Sequence, residues 1–124
     1  MIKGTGIDLV SVKRIERVIR RWGLKFILKV FTPAEIEYCE SKEARYQHYA
    51  ARFAAKEAAV KMLGKTAGIG WKDIEVSHDG DGKPVLILHG QARLLAEELG
   101  IKMVHIAISH ERDMAVVQVI GEGD

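Results

Sequence analysis

Apolar residues recur at steps of three and four between Val12 and Phe26, through Ile15, Ile19 and Trp22. That period predicts an amphipathic helix with one buried face. At about 100° per residue, Arg14, Arg17, Arg20 and Arg21 project onto the opposite side. Gly23 should break or bend this helix. Ahead of it, Thr5 to Val10 reads as a short strand, with Gly4 and Gly6 permitting close approach of another backbone. Thr32-Pro33-Ala34-Glu35 is a helix start: threonine caps, proline takes the first turn and Glu35 completes a capping box. A short helix through Cys39 follows. The longest helix is expected from Glu43 to Leu63, with Tyr46, Tyr49, Phe53, Ala54, Val60 and Leu63 as its apolar stripe and Gly64 as its stop.

Beyond a glycine-punctuated loop at Thr66 to Gly70 the pattern turns to strands. Asp73 to His78 and Pro84 to Leu88 flank Asp79-Gly80-Asp81-Gly82-Lys83, a hairpin signal. Gln91 to Leu99 reads as a helix closed by Gly100. Met103 to Ser109 and Met114 to Ile120 are β-rich and joined by the charged turn Glu111-Arg112-Asp113. The order β-α-α-α-β-β-α-β-β predicts an α+β fold, a single domain over residues 1–124 with a largely antiparallel sheet packed against helices.

Composition agrees with a folded domain: 48% of the 124 residues are hydrophobic, and only two are proline. No apolar run approaches the roughly 18 residues of a membrane span. Met1-Ile2-Lys3-Gly4 lacks the layout of a signal peptide, and Cys39 is the only cysteine, so the expected compartment is a reducing cytoplasm. Glu35, Glu37, Glu40 and Glu43 around Cys39 disfavour a thiolate. Charge is uneven. Seven basic residues against Glu16 give +6 between Ser11 and Val30, leaving −4 for the remainder of a +2 chain. Such polarity speaks of partners more than of fold.

The stretch Arg52-Phe53-Ala54-Ala55-Lys56-Glu57-Ala58-Ala59-Val60-Lys61 holds one carboxylate among small residues and cations. The alanines keep the surface around Glu57 low enough for a bulky ligand, and Lys61 lies one turn on, on the same face. The arrangement suits a metal ion with a polyphosphate, and equally a surface ion pair. Asp8, set in the apolar run Gly6 to Val10, is either a helix-capping strand-end aspartate or one of two hard oxygen ligands for Mg²⁺. His48, His78, His89, His105 and His110 show no metal-ligand spacing. His105 belongs to an apolar strand, whereas His110 ends it at a turn suited to an anionic ligand. The hairpin lacks the later ligands of a calcium loop, and no phosphate-binding glycine fingerprint is present. The basic helix suits an acidic protein partner, nucleic acid or plain solvation. No stacking platform or nucleic-acid reading motif accompanies it.

Together these blocks resemble the short type of 4'-phosphopantetheinyl transferase, the holo-acyl-carrier-protein synthases, over essentially the whole chain. The resemblance is carried by Gly6-Ile7-Asp8-Leu9-Val10, Phe31-Thr32-Pro33-Ala34-Glu35, the central block Arg52 to Lys61, Gly82-Lys83-Pro84 and Ile108-Ser109-His110, in that order. It implies the transferase fold and transfer of phosphopantetheine from coenzyme A to a serine of apo-acyl carrier protein, releasing 3',5'-ADP, in fatty acid biosynthesis. It implies Mg²⁺ on Asp8 and Glu57, with Glu57 and Lys61 catalytic and Glu57 the candidate proton acceptor. Arg52, Lys56, Lys83, Ser109 and His110 would hold coenzyme A, and Arg14, Arg17 and Arg21 would receive the acidic carrier. Such enzymes are similar to a homotrimer with sites between subunits. Asp8, Arg52, Lys56, Glu57 and Lys61 would then come from one chain, and Lys83, Ser109 and His110 from its neighbour. Neither nucleic acid nor membrane is implied as a partner. The alternative is a non-catalytic module docking an acidic partner through helix 12–22.

Overall fold

The computed structural model describes residues 1–66 and 68–124; Ala67, inside the loop expected over 66–70, lies outside the described residues. Strand β1 (Ile2–Ser11) leads into α1 (Val12–Trp22), α2 (Leu24–Val30), α3 (Pro33–Glu40) and the long α4 (Arg45–Leu63). A 3-10 turn (Trp71–Asp73) precedes the hairpin β2 (Ile74–His78) and β3 (Pro84–Leu88), then α5 (Gly90–Glu98), β4 (Met103–Glu111) and β5 (Met114–Glu122). The expected order gains one helix, because the break at Gly23 makes two helices, α1 and α2, of the one expected to start at Val12. The strands form two antiparallel sheets rather than one: β1-β5-β4, with β5 central, and the pair β2-β3. Strands at both ends of the chain run longer than their apolar cores because main-chain pairing continues through polar residues such as Ser11 and Glu122.

Helix α4 is the axis of the domain. Eleven of its nineteen residues are buried, among them Arg52 and Lys56, so it is enclosed on most sides and not amphipathic. The alanines have a different use from the one expected. Ala54, Ala55, Ala58 and Ala59 are fully buried, and β1 rather than a ligand lies against the helix at Ala58. A Cβ at Gly6 would overlap the Ala58 carbonyl, and one at Gly4 the Met62 carbonyl. Glycine on the strand and alanine on the helix thus bring two backbones into contact.

Local signals explain the helix ends. Thr32 and Glu35 form the capping box with Pro33 in the first turn. Gly64 ends α4 in the left-handed region, φ 76°. Ser11 caps α1 by accepting from the Arg14 N–H. The β4–β5 turn reinforces that cap: Asp113 accepts from the Ser11 hydroxyl at 2.7 Å and the Lys13 N–H at 2.9 Å. Gly23 divides α1 from α2, as expected. Trp22 departs from the predicted face: Ile15 and Ile19 are buried, but the break at Gly23 leaves Trp22 52% exposed.

Candidate functional site

Period-two alternation puts Asp8 on the same side of β1 as Gly4 and Gly6, the side that lies on α4. Its carboxylate meets Lys61, whose ammonium donates to Asp8 Oδ1 at 3.2 Å and to the Ile7 carbonyl at 2.9 Å. Lys61 stands one turn beyond Glu57, so a single ammonium links the strand acid to the helix acid's face. Ser11, not Asp8, caps the following helix, which removes the capping reading of Asp8. Glu57 is half-buried and borders a cavity of about 240 Å³ shared with Val60, Ile69, Trp71 and Ile74.

This donor set fits Mg²⁺. The ion characteristically takes one or two carboxylates and fills its remaining positions with water and substrate phosphate. Among the described residues no group of three His, Cys, Asp or Glu side chains could form an all-protein metal cage. Asp8 on β1 beside an exposed lysine, with Glu57 one turn before that lysine on α4, would leave room for both water and phosphate.

Lys56 has a different position from the one the resemblance implies. Its side chain is 0% exposed. The ammonium donates to Glu35 Oε1 at 2.7 Å, to the Trp71 carbonyl at 3.1 Å and to the Ile74 carbonyl. An ammonium has three N–H donors, and all three are taken. Lys56 therefore offers nothing to a coenzyme A phosphate. The reason is its helical phase, which points it inward while Glu57 and Lys61 point out. Burial pulls its pKa below the ordinary lysine value, against the Glu35 carboxylate, which raises it.

Arg52 marks a second basic centre. It is 2% exposed, and its Nε and Nη2 have no hydrogen-bond partner among the described residues, while Nη1 donates to the His48 carbonyl at 3.4 Å. Its guanidinium lies 4.1 Å from the Tyr38 ring centroid. His78 stacks on the same tyrosine at 4.5 Å, and His48 meets it edge-on at 5.4 Å. Burial lowers the pKa of His48, helped by Arg52 and His110, and burial lowers that of His78, helped by Arg52. For His110, burial outweighs the Gln47 carbonyl, which raises its pKa. A buried guanidinium with spare donors beside two histidines, the third reaching the first of them, suits a phosphate. The resemblance assigns Arg52 and His110 to different chains. Here His110 lies by Gln47 and His48 at the start of α4, and Arg52 follows one turn after His48 in the same chain.

Lys83 sits exposed in the β2–β3 turn beside β4, in a cavity with Met103 and His105. Ser109 is exposed and pairs with Val116, which pairs with Leu9; alternation directs it to the opposite sheet face from His110. Nothing in the single chain brings either residue to Glu57. On α1, Arg20 pairs with Glu16 at 2.8 Å, and Arg14, Arg17 and Arg21 are exposed. Cys39 is buried, and burial pushes its thiol up to about 12, which agrees with an inert thiol. Tyr38, His48, His78 and the Glu35–Lys56 pair were not legible as site elements, since their partners lie on elements distant in sequence.

The profile of the 4'-phosphopantetheinyl transferase superfamily matches residues 4–117. The chain is similar to the holo-[acyl-carrier-protein] synthase of Syntrophus aciditrophicus, 50% identical over 125 residues that cover 99% of this chain and 98% of that one. Its fold is similar to that of the Neisseria meningitidis holo-[acyl-carrier-protein] synthase, with TM-score 0.89 and 35% identity over 98% of this chain and 99% of that one. A holo-(acyl-carrier-protein) synthase from Bacillus anthracis, solved in complex with CoA (3',5'-ADP), has TM-score 0.81 and 34% identity, covering 100% and 99%. Matching along nearly its whole length, the chain belongs to the 4'-phosphopantetheinyl transferase superfamily, as an enzyme of the holo-[acyl-carrier-protein] synthase kind.

Proposed function

We propose that this enzyme transfers 4'-phosphopantetheine from coenzyme A to a serine of apo-acyl carrier protein in fatty acid biosynthesis, with Mg²⁺ held by Asp8 and Glu57. The observation that supports it most is Lys61 spanning from the Glu57 turn to Asp8 on β1. In the reaction the serine oxygen forms a bond to the phosphorus bearing pantetheine. The P–O bond to the other phosphate of the pyrophosphate breaks, and 3',5'-ADP leaves with that bonding pair. Glu57 takes the serine proton, directly or through water. Lys61 has one N–H left after Ile7 and Asp8, enough to meet charge developing on the phosphate oxygens. Mg²⁺, when bound, supplies charge neutralisation at the pyrophosphate.

The Arg52 centre takes a coenzyme A phosphate, assisted by His110, with Lys83 and Ser109 contributed across an interface. Arg14, Arg17 and Arg21 receive the acidic carrier protein and steer its approach. Assembly as a homotrimer is supported by the uncovered face of the β1-β5-β4 sheet, where Ile7, Leu9 and Met103 are each more than half exposed. No described helix is long and apolar enough to cross a membrane, and the one buried thiol suits a reducing cytoplasm.

Incubation with coenzyme A, Mg²⁺ and apo-acyl carrier protein tests the reading. The carrier gains the mass of one phosphopantetheine, and the gain is lost with EDTA. Glu57→Gln lowers kcat by at least on the order of 10²-fold while the carrier protein still binds. An undiminished rate in that variant removes Glu57 from the chemistry.

A further inference from the structure

The cavity beside Glu57 has two walls. One is α4, with Glu57 and Val60; the other is the segment after it, with Ile69, Trp71 and Ile74. Apolar packing and polar contacts both tie the second wall to the first, with Ile74 in the core cluster. Phe53 stacks on Trp71 at 5.3 Å. The polar tie is directional: the Lys56 ammonium holds the Trp71 and Ile74 carbonyls. Lys56 is itself held by Glu35, whose Oε1 also accepts from the Thr32 N–H at 3.0 Å and whose Oε2 accepts from the Val76 N–H at 3.0 Å. One carboxylate thus joins the start of α3, the middle of α4, the 3-10 turn and β2.

Both charges of this pair are fully buried. Apolar residues of similar volume often stabilise a core as well as an ion pair does. What an apolar pair lacks is direction: it has no donor for two carbonyls and no acceptor for the Val76 and Thr32 N–H groups. The contribution distinctive to the pair is therefore geometric, and the residue adjoining it in sequence is Glu57.

We propose that Glu35 is a positioning residue for the transfer reaction, acting through Lys56 to hold the Trp71–Ile74 wall against α4 and so fix the cavity that Glu57 faces. Glu35 touches no reacting atom. Its relevance to catalysis rests on the transferase reading above, while its role as a clamp rests on the hydrogen bonds alone.

The test uses Glu35→Gln and Glu35→Asp in a Trp22→Phe background, where Trp71 is the remaining one of two tryptophans. Turnover per folded molecule and acrylamide quenching of Trp71 are both measured. Leu95→Ala in α5 serves as a core control, at a buried residue that does not line the cavity, and is chosen to lower the melting temperature. A wall displaced by about 1 Å is expected to lower kcat on the order of 10²-fold. Glu35→Gln should show that loss, with KM for the carrier protein unchanged and Trp71 more readily quenched; Glu35→Asp should fall between it and the parent. Leu95→Ala should lose stability and keep kcat. Parental kcat or parental quenching in folded Glu35→Gln overturns the proposal. Should that variant fail to fold, Glu35→Asp decides by the same two readings. If the parent protein does not modify apo-carrier protein at all, the transferase reading falls, and Trp71 quenching still decides whether the clamp exists.

Discussion

Two lysines on α4, five residues apart in sequence, each pair with a carboxylate from another element, and they differ in almost everything else. Lys56 and Glu35 meet at 2.7 Å with both side chains fully buried. Lys61 and Asp8 meet at 3.2 Å with side chains 53% and 18% exposed. Moving an ion out of water costs several kcal/mol after relaxation, so a buried pair persists only when every donor and acceptor is matched. Lys56 meets that condition, with three acceptors for three N–H groups. Lys61 has two protein acceptors and open solvent, so a donor is left for a ligand. The same residue type in one helix is architecture at one position and available chemistry at the other, and burial alone decides which.

The largest effect expected from breaking this contrast is at Lys56. Lys56→Met leaves Glu35 charged and buried, and should destabilise the fold by about 3–5 kcal/mol, measured by urea unfolding. A loss below about 1 kcal/mol would mean the interior pair is solvated in solution, since that is the range of exposed pairs. Lys61→Met sharpens the contrast from the other side. Its stability should change by less than about 1 kcal/mol because solvent already screens the pair. Its kcat should fall on the order of 10²- to 10³-fold, the loss typical for one transition-state donor. A Lys61→Met protein with parental turnover would return the exposed pair to the status of an ordinary surface contact.

The same contrast explains what could be foreseen. Helix starts and stops were legible because their causes are local: Thr32 and Glu35 are three residues apart, and Gly64 directly follows its helix. Asp8 and Glu57 could be singled out because each is a charge in an unusual local setting, and β1 packing on α4 brings Lys61 to Asp8. Lys56 was misread because its sequence neighbours, Glu57 and Lys61, are outward-facing, and nothing local shows that residue 56 faces inward. Its partners Glu35, Trp71 and Ile74 lie 15 to 21 positions away. The alanines were misread for a related reason. Small residues on a helix admit close approach by anything, and whether that is a ligand or Gly6 of a strand is decided by topology.

The smallest expected effect concerns the Arg52 centre, the other place where α4 buries a cation. His48, His78 and His110 all titrate below the ordinary histidine value in the fold, chiefly through burial, with Arg52 adding repulsion at the first two. Between those lowered values and the unfolded value of about 6.5, the unfolded chain binds more protons than the folded one. Stability is then complete above about pH 6.5 and declines as pH falls through the lowered values. A series of melting temperatures from about pH 7.5 to about pH 5 should show that decline, ahead of carboxylate titration. His48→Gln with His78→Gln should flatten it. A phosphate ligand reverses the balance, because an anion beside Arg52 favours the charged imidazoles. The stabilisation conferred by 3',5'-ADP should therefore grow as pH falls across the same window, with net proton uptake on binding seen by calorimetry in buffers of different ionisation enthalpy. If that stabilisation is independent of pH, the histidines do not face the phosphate, and Arg52 is a buried cation held only by Tyr38 and the His48 carbonyl.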